Sequence, residues 1–321
     1  MIEVSHLTKK YGDHTAVKDL SFTVQEGKIY GFLGPNGAGK STTMNIITGC
    51  LAATDGDVTI GGYDIFEEPE KAKSLIGYLP EIPPLYTDRT PREYLRFVAE
   101  AKRIPKSEIP QQLAYVMETA KITDVADRLI RNLSKGYRQR VGIAQALLGD
   151  PEYIILDEPT VGLDPLQIIE IRDLIRSLGG KHTVILSSHI LSEVQAVCEE
   201  VLVISDGTLV ACDTIDHLRE RFSGAQAGET SLEEIFIELL KKPDALQEEL
   251  PQGKIPEEPL TGSEAAVAAD EPFSGGPAAP EAKGKAKETE GTKDAKEFDE
   301  AEEEAEEGKI KEAEEKEAEE K

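Results

Sequence analysis

Up to about Leu240 the chain alternates short apolar runs with stretches of helical periodicity. LSFTV (20–24), KIYGFL (28–33), VTI (58–60), YIIL (153–156), TVIL (183–186) and VLVI (201–204) are rich in Val, Ile and aromatic residues and are predicted as strands. The most continuous of these read as buried strands of an α/β sheet, because a strand covered on both faces loses its in–out alternation. Between about Arg92 and Leu148 the strand signal stops. There EYLRFVAEAK, QLAYVMETA and QRVGIAQALL carry apolar residues three and four apart, a spacing that lines one face of a helix. The pattern predicts a helical block inserted into a β-rich domain.

Beyond Leu240 large apolar side chains become rare. Residues 243–285 are rich in Pro, Gly, Ala and Glu and cannot bury enough surface to fold. Residues 293–321 form an Ala/Glu/Lys tract of high helix propensity that has no apolar stripe to dock. The segment 243–321 is therefore expected to be a disordered acidic tail. It holds 26 acidic and 10 basic residues, a net of −16 out of the total −26, which leaves −10 for the first 242 residues. A solvated tail and an acidic interaction tail both fit this composition.

Charge and cysteine usage narrow the field. No basic footprint of the kind a nucleic-acid binder needs is present, so no nucleic-acid partner is expected. Cys50, Cys198 and Cys212 lie far apart without metal or disulfide spacing, and are expected to be buried or half-buried thiols of a reducing compartment. The N-terminal MIEVSHLTKKYG lacks a basic-then-apolar signal pattern, and no run approaches the ~18 to 20 apolar residues of a membrane span. These features predict a soluble, cytosolic protein; any membrane part would come from another chain.

The chemistry begins directly after the strand KIYGFL. Gly34-Pro35-Asn36-Gly37-Ala38-Gly39-Lys40-Ser41-Thr42 is a P-loop pattern in its required context of strand, glycine-rich turn and helix. Glycines let the backbone curl so that successive N–H groups face phosphate oxygens. The helix starting near Gly39 adds the positive end of its dipole. Lys40 supplies a charge to the β- and γ-phosphates, Ser41 a hydroxyl to Mg²⁺, and Thr42 a further phosphate contact. ATP and Mg²⁺ are the implied ligands.

A second acidic motif ends the strand YIIL. In YIILDEPT (153–160), Asp157 suits Mg²⁺, directly or through water, and Glu158 can polarise an attacking water near the γ-phosphate. Two carboxylates at the tip of an apolar strand would be costly without partners.

With these residues in place, the chain resembles the ABC-type ATPases. LSKGYRQR (133–140) resembles their LSGGQ signature, VGLDP (161–165) their D-loop, and SSHILSE (187–193) their H-loop, with His189 as the switch histidine. GYLPEIPPLY (77–86) falls at the Q-loop, and Tyr11 falls where an aromatic stacks on adenine. The elements arrive in the family's order over about residues 1–222. SLEEIFIELL (231–240) resembles the C-terminal helix of exporter-type subunits. The resemblance implies a P-loop ATPase core with an antiparallel β subdomain and an inserted α-helical subdomain at about 86–150. It further implies a C-terminal docking helix within 223–242, before the tail 243–321.

The same resemblance implies a mechanism and partners. Two copies, or this chain and a paralogous ATPase, would close head to tail around two ATP molecules. Ser134 and the Gly136 backbone would then contact the γ-phosphate in trans, and Asp164 would link the two sites. Glu158 and His189 would be catalytic. Lys40 would hold phosphate, and Ser41, Asp157 and Glu81 would serve the metal. A separate multi-span permease would place the chain on the inner face of the cell membrane, with export as the implied direction.

Three departures stand out: Lys135 and Tyr137 replace the family's usual glycine and glutamine in the signature, and Glu81 replaces the Q-loop glutamine. In addition, only a short segment separates Phe222 from Leu232, where exporter-type subunits usually carry more folded residues. Leu85, Tyr86 and the neighbouring prolines fit either an exposed docking patch or a buried loop. Soluble family members acting on ribosomes or DNA are the alternative class. They usually carry a second ATP domain, or a coiled-coil or zinc insertion, and this sequence shows none of these. A regulatory protein that has lost hydrolysis fits poorly with intact Lys40, Asp157, Glu158 and His189.

Overall fold

The structure, a computed structural model, describes residues 1–222 and 232–241. These all belong to one of the chain's two units, Met1–Ile255. The segment 223–231 and the expected tail, 243–321, lie outside the described residues.

Two sheets form the body. An antiparallel sheet takes β1 (Ile2–Tyr11), β2 (His14–Val24), β4 (Asp55–Ile60) and β5 (Tyr63–Asp64) in the order β2-β1-β4-β5. A six-stranded sheet takes β3 (Ile29–Leu33), β6 (Ile76–Leu79), β7 (Tyr153–Leu156), β8 (Thr183–Ser188), β9 (Glu200–Ser205) and β10 (Thr208–Thr214) in the order β10-β9-β3-β8-β7-β6. All its pairings are parallel except β9–β10.

The parallel strands separate two cores, which accounts for their continuous apolar runs. Ile29, Leu33, Ile154, Leu156, Val184, Leu186, Val201 and Val203 pack on the helical side. Their neighbours Tyr30, Phe32, Tyr153, Ile155, Ile185, Leu202 and Ile204 pack on the other side, with Ile2, Val4, Leu20 and Val58 of the antiparallel sheet. Successive strand side chains point to opposite faces, so both registers must be apolar. Ile155 is fully buried; truncating it to Ala would cost about 2 to 5 kcal/mol.

Helices α3 (Pro91–Ala101), α4 (Ile109–Thr119) and α5 (Lys135–Leu147) form the block between β6 and β7. The sequence Thr90-Pro91-Arg92-Glu93 starts α3 with a capping box: Glu93 N–H donates to Thr90 Oγ1 (3.3 Å) and Thr90 N–H to Glu93 Oε2 (3.0 Å). The expected C-terminal helix is present as α9 (Leu232–Lys241). It buries Ile235 and Leu239, one turn apart, against Leu33, Val201 and Leu218. The remaining helices are α1 (Lys40–Ile47), α2 (Pro69–Ser74), α6 (Pro165–Leu178), α7 (Leu191–Val197) and α8 (Ile215–Phe222).

Strands β1, β5, β6 and β10 go beyond the sequence expectation, and β2 is longer than expected. Strand β1 alternates Ile2, Val4 and Leu7 with polar residues, but the register shifts around His6, which adopts φ 52°. Its run therefore never reads as an apolar segment. Strand β2 begins at His14, well ahead of LSFTV. Strand β6 contains Gly77, a weak strand former. Strand β10 ends in the polar Cys212-Asp213-Thr214.

Candidate functional site

Strands β3, β8, β7 and β6 are parallel neighbours, so the loops leaving their C-terminal ends emerge along one edge of the sheet. The P-loop follows β3, His189 follows β8, Asp157 and Glu158 follow β7, and Glu81 follows β6. Residues far apart in sequence converge here because crevices of parallel α/β sheets open at the carboxyl ends of the strands.

The P-loop has the backbone that a phosphate cradle needs. Gly39 takes φ 104° and Gly37 φ 81°, in the left-handed region, and a Cβ at Gly39 would lie 2.6 Å from the Ala16 carbonyl. No side chain caps the N-terminus of α1, so its first-turn N–H groups have no intrahelical or side-chain acceptor. The buried Lys40 Nζ donates to the carbonyls of Gly34 (2.9 Å) and Pro35 (3.3 Å). Asn36, Gly37, Gly39, Lys40, Ser41 and Thr42 line a cavity of about 580 Å³. Gly34, Pro35 and Ala38 do not line it. Gly34 is packed against Ile204, and the Ala38 N–H donates to the Pro35 carbonyl at 3.2 Å.

Asp157 and Glu158 are both buried and both partnered. Ser187 at the end of β8 donates its hydroxyl to Asp157 Oδ1 (2.5 Å) and accepts the Glu158 N–H (2.8 Å). Ser41 Oγ also donates to Asp157 Oδ1, at 3.3 Å. Glu158 Oε1 lies 3.4 Å from Lys40 Nζ and Oε2 lies 3.0 Å from His189 Nδ1. These neighbours offset the cost of burying the carboxylate. Glu158 has φ 46°, a conformation L residues rarely adopt outside special sites. The Tyr78 phenol, on β6, is pushed well above its ordinary range by burial and then by the Asp157 charge; it stays protonated and donates to Asn45 Oδ1 at 3.1 Å.

Tyr11, Glu81, Glu158 and His189 share the cavity with the P-loop. Tyr11 is half-exposed at its rim, with Lys9 Nζ 5.2 Å from the ring centroid. A hard-oxygen set of Ser41, Asp157 and substrate phosphates suits Mg²⁺, which takes few protein ligands. Among the described residues no cluster of three or more His, Cys, Asp or Glu could hold a metal by itself.

Ser134, Gly136 and Asp164 do not line this cavity. Ser134 caps α5, its hydroxyl accepting the Tyr137 N–H at 3.3 Å. Asp164 caps α6 by accepting from Leu166 N–H (3.1 Å) and Gln167 N–H (3.0 Å). Gly136 is close against Gln167, where a Cβ would sit 2.6 Å from Cδ, and the Lys135 ammonium lies against Gly162 of the D-loop. The start of α5 thus packs against Gly162 and the start of α6 within the chain. Tyr137 O–H donates to Asp124 Oδ2 at 2.8 Å.

Several residues of the site are assigned no role from the sequence. His14, Ala16 and Val161 line the cavity, Asp157 does not, and Ser187 bridges Asp157 and Glu158. Ser187 opens SSHILSE, but its double role needs β7 and β8 to be adjacent. Two expectations change. Cys50 is exposed, not buried or half-buried, because it lies just past the end of α1. The two readings of the proline-rich segment divide: Tyr86 is 50% exposed, with Ile82 82% exposed and the half-exposed Phe97 ring 5.3 Å from Tyr86, while Leu85 is half-buried against the helical core.

A family model described as ABC transporter matches residues 17–161. The bacitracin transport ATP-binding protein of Bacillus licheniformis is 40% identical over 223 residues, covering 69% of this chain and 72% of its own. A solved ATP-binding subunit of an ABC transporter superposes with a TM-score of 0.67 at 32% identity, covering 74% of this chain and 99% of that one. A dimeric ATP-binding cassette in a post-hydrolysis state, bound to ADP and Pi, gives a TM-score of 0.61 at 27% identity, covering 67% and 99%. No helix among the described residues is long and apolar enough to cross a membrane. With its two-sheet P-loop fold and its ordered set of loops, the chain belongs to the ABC transporter family, as an ATP-binding subunit.

Proposed function

We propose that this subunit hydrolyses ATP to drive a separate multi-span permease, in the export direction, through head-to-tail closure of two ATP-binding subunits. The observation that carries the reading is the Glu158 carboxylate, held between Lys40 (3.4 Å) and His189 (3.0 Å) at the wall of the P-loop cavity. A buried carboxylate oriented on both oxygens is what a water-activating base requires.

In this reading the triphosphate lies along the first turn of α1, and Tyr11 stacks on the adenine. The phosphates draw Lys40 away from the Gly34 and Pro35 carbonyls and from Glu158. Glu158 Oε1 is then free to accept a proton from the attacking water, while His189 keeps Oε2 in place. Ser41, Asp157 and Glu81 would hold Mg²⁺, which would supply charge neutralisation to the phosphates. Ser134 and Gly136 of the second subunit complete the site, and Asp164 links the two. A second copy of this chain suffices, since each would bring a full set of residues.

Export rests on the likeness of the Q-loop and of α9 to exporter-type subunits. The exposed Ile82, Tyr86 and Phe97 form the apolar patch on which a cytoplasmic segment of the permease docks. Affinity purification of the full chain from detergent-solubilised membranes tests this: the reading expects a multi-span membrane protein in stoichiometric yield. Ribosomes in its place would overturn it.

A further inference from the structure

We propose that Glu193 is a positioning residue for hydrolysis, its buried carboxylate fixing the loop that carries Glu158 to the loop that carries His189. The side chain projects from the first turn of α7 and is 4% exposed. Its Oε2 accepts from Thr160 Oγ1 (2.5 Å) and from Ser188 Oγ (3.0 Å). Thr160 stands two residues after Glu158, and Ser188 directly precedes His189. One oxygen therefore joins the two loops that meet again at the 3.0 Å Glu158–His189 contact. Ser188 Oγ also accepts the Ile190 N–H at 3.0 Å, which anchors the backbone on the far side of His189.

An acidic residue at a helix N-terminus needs no more explanation than the dipole when it faces solvent. Glu193 does not face solvent: it is turned toward two buried hydroxyls of other elements. Its Oε1 lies 3.9 Å from Arg172 Nη2 of α6, the helix that Asp164 caps, and the buried Arg172 Nε has no hydrogen-bond partner among the described residues. The carboxylate thus ties α6, α7 and both catalytic loops together in a space where it is costly to keep a charge. Misplacing a reacting group by about 1 Å costs on the order of 10²-fold in rate, which gives such a tie a kinetic role.

The inference rests on the reading of Glu158 and His189 as the hydrolytic pair, and the two are tested together but separably. Steady-state Mg-ATP hydrolysis by the purified full chain is compared for wild type, E158Q, E193A, E193Q and T160V, and for E193A in the E158Q background. E193A is expected to lower kcat about 10- to 100-fold with KM within about threefold. E193Q keeps an oxygen that can accept from both hydroxyls and should recover most of the loss. T160V, which removes one tie at constant shape, should lower kcat even if E193A fails to fold. Adding E193A to E158Q should change the residual rate by less than about threefold, because both act on one step. A slow E158Q together with unchanged kcat in T160V, or with E193Q no better than a folded E193A, or with loss confined to KM, would overturn the role of Glu193 alone. Wild-type turnover by E158Q would overturn the hydrolytic reading, and this inference with it.

Discussion

His189 Nδ1 lies 3.0 Å from Glu158 Oε2, joining the first residue after β8 to the residue that follows Asp157 at the tip of β7. A hydrogen bond to a carboxylate requires the proton on Nδ1, so the pair fixes both the histidine tautomer and the carboxylate rotamer. Replacing Glu158 with Gln keeps the size of the side chain and removes its basicity. ATP binding should persist, while turnover falls on the order of 10²-fold or more, measured as phosphate release at saturating Mg-ATP.

Lys40 should behave differently. Its ammonium is buried and is held by Gly34, Pro35 and Glu158. Replacing it with Ala removes a charge-assisted contact to phosphate, a loss of about 1.5 to 3 kcal/mol, or roughly 10- to 100-fold in nucleotide affinity. Equilibrium titration with a fluorescent ATP analogue measures this. Unchanged affinity would contradict the phosphate role.

Asp164 accepts two N–H groups at the start of α6. Asp164→Ala should therefore destabilise the nucleotide-free protein by about 1 kcal/mol, a fall of roughly 2 to 4 °C in Tm, while Asp164→Asn remains near wild type. Thermal unfolding without ATP separates this local effect from any contribution of Asp164 between subunits.

Burial raises the Tyr94 phenol to about 12, with the neighbouring Tyr86 adding to the shift. Its O–H donates to Gln145 Oε1 and to the Pro84 carbonyl at 3.3 Å. Because the folded-state pKa lies above the unfolded value near 10, the folded chain binds more protons between those pH values. Its contribution is complete below about pH 10 and is lost as pH rises toward 12, a change of about 3 kcal/mol. Urea unfolding across this window should show a steep loss of stability in wild type and a shallower one in Tyr94→Phe.

The sequence was most legible where chemistry and strand context coincide. Gly34 to Thr42 follows an apolar run and precedes a helix, and Asp157-Glu158 ends the fully apolar YIIL, so strand, motif and loop could be read together. The buried parallel strands were legible because both faces must be apolar. Strand β1 was not, since the irregularity at His6 breaks the apolar alternation between Val4 and Leu7. Ser187, Glu193 and Thr160 were illegible as a group for another reason. Their bonds cross between β7, β8 and α7, and nothing local in a Ser, Thr or Glu announces a partner some thirty residues away.

The central claim is that ATP closes two of these subunits around shared sites. The most direct measurement is the solution mass of the Glu158→Gln protein, by light scattering with size exclusion, with and without Mg-ATP. The account predicts a monomer alone and a stable dimer holding two ATP molecules when nucleotide is present. A protein that binds ATP stoichiometrically yet stays monomeric would contradict closure between copies of this chain.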